Sequence, residues 1–221
     1  TETPLMKLLP VLTLLLTLAP GLAAADPIAF EMKEIETGLG VGYAVGPAGA
    51  DHGLGFHDPA LSQGGPAMAS WQELGIHQPQ PRSELNSTKL RALKYGQCWR
   101  TISDSAVVCS MIPFSRSELV DLIGAATGWN VSLFELMKVA ERGIQLARVF
   151  NSREGFGRKD DVITERIFEP MPTGALAGQA VDRAKFEQTV DDYYEIMGWD
   201  AVTGMPRRGV LLDLGIEWAA D

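Results

Sequence analysis

Residues 132–150 read SLFELMKVAERGIQLARVF, and this stretch decides the fold class. Ser132, with Glu135 three residues later, has the pattern of an N-terminal capping box. Asn151 and Gly155 supply stop signals at the other end. The pattern predicts a helix from about 133 to 150 that is buried on more than one side. Its apolar positions are Phe134, Met137, Ala140, Ile144 and Ala147, flanked by Leu136, Val139, Leu146, Val149 and Phe150.

Similar helical signals recur on both sides of this stretch. Ser115 and Glu118 form a second capping box, and Asp182 is a third candidate cap. Strand-like alternation is scarce, so the fold class is mainly α with irregular helical domains. The further predicted helices cover 85–101, 115–128, 182–198 and 210–214.

Composition excludes several classes of protein. The chain has 221 residues, 46% hydrophobic and 21% charged, which is ordinary for a globular domain and excludes a disordered chain. A formal net charge of −9 argues against a nucleic-acid partner, because no basic stripe is present to neutralise phosphates. The two cysteines, Cys98 and Cys109, cannot by themselves form a disulfide framework, a tetrahedral zinc site or the four-thiolate set of an iron–sulfur cluster.

The first 25 residues are strongly apolar and allow two interpretations. Met6 and Lys7, an uncharged run and a small-residue stretch before Asp26 are the parts of a secretory signal. The alternative is a buried helix that breaks at Pro20. If residues 6–25 act as a signal peptide, the chain is exported.

Residues 26–82 are rich in Gly and Pro and are predicted to be loop-rich, whereas 83–221 are predicted to be helical. The glycine runs 38–42 and 46–49 predict tight turns and close approach of the backbone to its neighbours. All three histidines, His52, His57 and His77, lie in this loop-rich part.

Four groups of residues are candidates for chemistry. Asp51-His52 and the following His57-Asp58 place imidazoles beside carboxylates, which suits proton transfer, although solvated loop histidines share this pattern. Asp104 and Cys109 could offer a hydrogen-bond acceptor and a thiolate, or Cys109 could be a buried free cysteine. Cys98 is expected to pack unpaired beside Trp99 unless the chain is exported. The mixed charges of 141–166 predict salt bridges at an interface and argue against phosphate binding.

The order of several motifs resembles the C-terminal region of the tungsten-dependent aldehyde:ferredoxin oxidoreductase family. The resemblance runs from about residue 28 to 221 and rests on a set of short stretches. They are GADH…HD at 49–58, AATGW at 125–129, ERGIQLARVFNSREGF at 141–156, RKDD at 158–161, DYY at 192–194, GWD at 198–200, GMP at 204–206 and LDLGI at 212–216.

The resemblance implies an oxidoreductase that converts aldehydes to carboxylic acids with ferredoxin as electron acceptor. The implied cofactors are a bis-pterin tungsten centre, with molybdenum as an alternative metal, and a [4Fe–4S] cluster. The implied partners are the aldehyde, ferredoxin and an N-terminal pterin-binding domain or separate subunit. In fold, the chain would correspond to the second and third, helical domains, and the resemblance implies a cytoplasmic location.

The family motif D-x-x-G-L-C falls on 104–109 and carries the implied site roles. Asp104 would accept hydrogen bonds from a pterin, Cys109 would be the fourth cluster ligand, and Ser110 would approach the pterin. His52 falls on the active-site histidine that assists proton transfer at the metal, and Asp51 could orient it. Val107 and Val108 stand where the motif has Gly and Leu, which puts close backbone approach at that point in question.

The departures from the family leave two hypotheses. The C-x-x-C-x-x-x-C motif that supplies the other three cluster thiolates does not occur in these residues, nor does the pterin-binding domain. We therefore expect the chain to be a fragment or one half of a split enzyme, to be inactive alone and to bind no cofactor alone. The alternative is a non-enzymatic helical scaffold, or an exported protein, that has lost the cofactor.

Overall fold

The structure is a computed structural model and describes residues 37–54, 57–109, 112, 114–174 and 176–220. The apolar segment 1–25 and Ser110 lie outside the described residues. The described part is helical and contains no β-strand, only one antiparallel bridge between Trp199 and Pro206. The prediction of a mainly α fold is confirmed. None of the described helices is both long and apolar enough to cross a membrane.

Eight α-helices follow one another in the described residues. They are α1 (Thr37–Ala44), α2 (Asp58–Ser62), α3 (Pro66–Gln72), α4 (Ser87–Ser105), α5 (Arg116–Thr127), α6 (Leu133–Arg153), α7 (Arg183–Met197) and α8 (Arg208–Asp213). Short 3₁₀ turns at Arg158–Asp160, Glu165–Phe168 and Glu217–Ala220 link or end them.

Helix α6 is the longest described helix, as the sequence predicts, and it extends three residues past Phe150. The Ser132 hydroxyl accepts a hydrogen bond from the Glu135 amide at 3.2 Å, which satisfies one free donor of the first turn. Helix α5 carries the full capping box of Ser115 and Glu118 and ends at Gly128 in the left-handed conformation (φ 74°).

Helices α4, α6 and α7 pack together around the main core. Polar side chains inside this core are paired: Gln145 donates to the Met197 carbonyl at 3.0 Å and accepts from the Trp199 indole at 2.7 Å. The Tyr193 hydroxyl donates to Gln97. Because a buried polar group without a partner is costly, these pairs fix how the three helices sit against one another.

The charged segment 141–166 forms the predicted salt bridges, here within the chain itself. Arg148, only 2% exposed, pairs with buried Asp161 at 2.8 Å and lies 4.4 Å from the ring centroid of Trp199. Glu141 pairs with Lys94 of α4 at 2.7 Å. These contacts tie α6 to α4 and to the connector that precedes α7.

The glycine run 38–42 was predicted to form tight turns, and this prediction is wrong: it lies inside α1. The helix is buried because its glycines allow close packing. A Cβ on Gly38 would lie 3.0 Å from the Asp58 carboxylate, and one on Gly42 would lie 3.2 Å from Leu93. The expectation of close approach was therefore correct, while the helical conformation comes from tertiary packing that overrides the low helix propensity of glycine.

Candidate functional site

The first part of the site is the segment that connects α1 to α2, residues 45–57, which we call the histidine loop; 55–56 lie outside the described residues. It begins with a tight turn in which the Gly49 amide donates to the Gly46 carbonyl at 3.0 Å, with Gly49 at φ 84°. Asp51 then accepts a hydrogen bond from the Gly53 amide at 2.8 Å. This contact holds the turn that carries the exposed His52.

Two side chains hold the His52 ring. The Tyr43 hydroxyl lies 2.9 Å from His52 Nδ1, and Tyr43 belongs to α1. The His57 ring packs edge-on against it, with centroids 4.3 Å apart and planes at 73°. Burial lowers the pKa of His57, and the neighbouring His52 and Arg100 lower it further. Together these effects favour the neutral form of the His57 imidazole.

A buried ion pair anchors the end of the histidine loop. Asp58, the residue after His57, lies 2.7 Å from the Lys89 ammonium of α4 and accepts from the Leu39 amide of α1 at 2.9 Å. Lys89 also donates to the Arg82 carbonyl at 2.8 Å. The carboxylate thus joins α1, α2 and α4 beneath the histidines.

The last turns of α4 face the histidine loop. Asp104 is exposed, but partial desolvation by its neighbours raises its pKa; Arg100 opposes this by favouring the carboxylate, and the like charge of Asp51 raises the pKa again. Asp51 and Asp104 are therefore close enough to interact by charge, although 53 positions separate them in the sequence. Arg100 acts by charge on both Asp104 and His57, so it lies near both groups.

Cys109 lies just beyond α4, where its thiol is exposed and unpaired. The chain reaches it through Val107, which has φ 56° and a side chain that is 85% exposed. A left-handed backbone is strained for a β-branched residue and is natural for glycine. The backbone at 107 therefore keeps the conformation that the Gly of the D-x-x-G-L-C pattern would adopt, with a valine in its place.

Asp51, which precedes His52 in the histidine loop, interacts by charge with Asp104 near the end of α4. Cys109 follows that end and is exposed. Ser110 lies outside the described residues. Cys98, in contrast, is buried at 2% exposure and unpaired next to Trp99.

Sequence reasoning missed Tyr43 and Arg100 as neighbours of the histidines. Tyr43 precedes His52 by nine positions, and only the helical conformation of α1 brings its hydroxyl back to the loop. In the described part of the chain, no group of three or more His, Cys, Asp and Glu residues is arranged to hold a metal ion.

Comparison with known proteins gives a consistent family match. The family described as "Aldehyde ferredoxin oxidoreductase, domains 2 & 3" matches residues 23–216. The tungsten-containing aldehyde ferredoxin oxidoreductase of Pyrococcus furiosus is 30% identical over 182 residues, which is 78% of this chain and 29% of that protein. The protein of the same name from Pyrococcus horikoshii is 28% identical over 183 residues, again 29% of its length.

A differently named relative is also similar. The "Aliphatic sulfonate oxidoreductase, WOR-like subunit" of Pyrococcus furiosus is 32% identical over 128 residues, 55% of this chain and 20% of that protein. The chain spans less than a third of the length of the curated relatives that it matches.

Proposed function

Because this chain belongs to the aldehyde ferredoxin oxidoreductase family, of which it carries domains 2 and 3, we propose that it forms the helical part of a tungsten-containing aldehyde oxidoreductase. The whole protein would oxidise an aldehyde to a carboxylic acid and pass two electrons to ferredoxin. The observation that carries the proposal is the charge interaction between Asp51, which precedes His52, and Asp104 at the end of α4. Two elements distant in sequence, the histidine loop and the end of α4, there supply an imidazole and two carboxylates.

The residues present are compatible with the implied cofactors. Cys109 offers an exposed thiol, which a cluster ligand requires, and Asp104 offers an exposed carboxylate that can accept hydrogen bonds from a pterin. When bound, the tungstopterin would take up the electrons of the aldehyde and the [4Fe–4S] cluster would transfer them to ferredoxin. We propose Cys109 as a cluster ligand and Asp104 and Ser110 as pterin contacts.

In this proposal His52 is the residue that exchanges protons with the reacting groups. Oxidation of an aldehyde to an acid consumes water and releases protons, and an imidazole is the side chain that exchanges protons near neutral pH. Asp51 keeps the loop turn in shape through Gly53 and adds negative charge near the imidazole. His57, held neutral by burial, supports the ring without competing for the proton.

In this proposal, another polypeptide segment supplies the cluster ligands that these 221 residues lack. They contain two cysteines, and Cys98 is buried in the core, so three of four cluster thiolates must come from elsewhere. We propose that an N-terminal pterin-binding domain, or a separate subunit, supplies them in the cytoplasm. We further propose that these residues alone bind no tungsten, pterin or cluster; about four irons per chain in the isolated segment would contradict this.

The alternative, a helical scaffold that has lost its cofactor, is supported by one observation. The side chain of Val107 stands exposed at the position where the family motif has glycine, and its bulk lies next to the proposed cofactor residues.

One experiment separates the two proposals. The whole native protein is purified anaerobically, its tungsten and iron are measured, and aldehyde oxidation is assayed with ferredoxin. We expect Cys109→Ser to lose most of the iron and the activity, while Cys98→Ser, the matched control, keeps both. A metal-free native protein, or equal iron in both variants, would contradict the proposed function and favour the scaffold.

A further inference from the structure

We infer that Tyr43 is a positioning residue that fixes the His52 imidazole with its proton on Nε2. The catalytic consequence of this arrangement rests on the proposed function; the arrangement itself does not. Neither the family motifs nor the sequence analysis assigns any role to Tyr43. The inference starts from the 2.9 Å contact between the Tyr43 hydroxyl and His52 Nδ1.

The direction of this hydrogen bond follows from basicity. A phenol hydroxyl can donate or accept, whereas a neutral imidazole has one N–H donor and one acceptor nitrogen. The imidazole lone pair is far more basic than the phenol oxygen, so Tyr43 donates and Nδ1 accepts. The ring proton then resides on Nε2, since the bond at one nitrogen sets the state of the other.

Tyr43 is a suitable anchor because its helix is held from several sides. The Thr37 hydroxyl at the start of α1 bonds to the main chain of residues 82–84, and the Leu39 amide donates to buried Asp58. The orientation of the exposed His52 ring is thereby set by a buried helix and not by its own loop. The edge-on contact with His57 limits rotation of the ring from the other side.

The arrangement leaves Nε2–H as the group that His52 presents to a ligand. Among the described residues, the hydrogen bond to the His52 ring is made at Nδ1, with the Tyr43 hydroxyl. An Nε2–H donor is suited to the oxygen of an aldehyde carbonyl or of the carboxylate product. Arg100 of α4 and Asp58 of α2 act by charge on the neighbouring His57, and Asp51 and Arg100 act by charge on Asp104 of α4.

The direct test is nitrogen NMR of the full chain without cofactor, labelled with ¹⁵N-histidine, at a pH where the imidazole is neutral. His52→Gln identifies the His52 signals. We expect Nδ1 to be unprotonated and Nε2 protonated in the wild type. In Tyr43→Phe, we expect both signals to shift towards the positions of a mixture of the two tautomers. Tyr95→Phe, a partly buried tyrosine of α4, is the matched control and should leave the signals in place.

Two results would overturn the inference: a wild-type ring with its proton on Nδ1, or His52 signals that are the same in Tyr43→Phe and the wild type. In the loaded native enzyme, Tyr43→Phe should lower kcat about tenfold while Tyr95→Phe does not, as expected for a residue acting through another. Tautomer signals that shift in a native protein without aldehyde oxidation would support the role of Tyr43 and contradict the proposed function.

Discussion

The Lys89 ammonium lies 2.7 Å from the Asp58 carboxylate, and the two side chains are 1% and 0% exposed. Removing one partner of such a pair leaves an uncompensated charge in the interior. Because Asp58 also accepts from the Leu39 amide, the pair joins the helix that carries Tyr43 to the end of the histidine loop.

We expect Asp58→Asn to lower the free energy of unfolding by about 3 to 5 kcal/mol, since it strands the buried Lys89 charge. Urea unfolding followed by circular dichroism measures the change. Asp191→Asn is the control, because Asp191 is 51% exposed in its pair with Arg158 and should leave the midpoint nearly unchanged. Equal effects of the two substitutions would show that the buried pair contributes no more to stability than the exposed pair.

The two cysteines should differ in reactivity. Burial raises the pKa of the Cys98 thiol to about 12, and the thiolate is the reactive form, whereas Cys109 is exposed. Brief treatment of the cofactor-free protein with iodoacetamide at pH 8, followed by peptide mass spectrometry, should find Cys109 alkylated and Cys98 unmodified. Both should react in denaturant. Rapid native labelling of Cys98 would contradict its place in the core.

Val107 and Val108 should respond oppositely to replacement by glycine. Val107→Gly removes the strain of a valine in the left-handed conformation, which costs about 1 to 2 kcal/mol. The greater conformational freedom of glycine in the unfolded chain partly offsets this gain. We expect a net gain in stability of about 1 kcal/mol or less. Val108 packs against the main core, so Val108→Gly should destabilise the protein. Thermal unfolding of both variants measures the difference, and a loss of stability in Val107→Gly would count against the strain.

Glu118 should make the stability depend on pH. Hydrogen bonds from Ser115 lower the pKa of Glu118 below its ordinary value of 4.5. In the window between the two values the unfolded chain binds more protons, so stability rises with pH. The advantage of the wild type over Glu118→Gln should thus be present above pH 4.5 and be lost as the pH falls through the folded pKa.

Denaturation at several pH values measures this advantage. The same comparison in a Ser115→Ala background is the control, because without the cap the difference between Glu and Gln should become much smaller. A difference that persists unchanged in that background would show that the capping box is not its source.

The sequence predicted those parts of the fold that local signals specify. Helix α6 was predictable because its cap and its apolar period lie within one stretch, and the same holds for α5 with Ser115 and Gly128. Helix α1 was missed, since its glycines favour turns locally and only burial against α4 and α7 makes it helical. The site divides in the same way: motif positions could indicate His52 and Asp104, but no local signal reveals the contact between Tyr43 and His52.

Helix α1 also bears on the order in which the protein folds. Three of its eight residues are glycine, each about 1 kcal/mol less favourable in a helix than alanine, so α1 alone is not stable in water. It can form only after the surfaces of α4 and α7 that bury it exist. Tyr43 reaches His52 only when α1 is helical, so we expect a newly made chain to acquire its ordered histidine loop after the rest of the core. A folding intermediate would then have the bundle without the arrangement that receives a ligand.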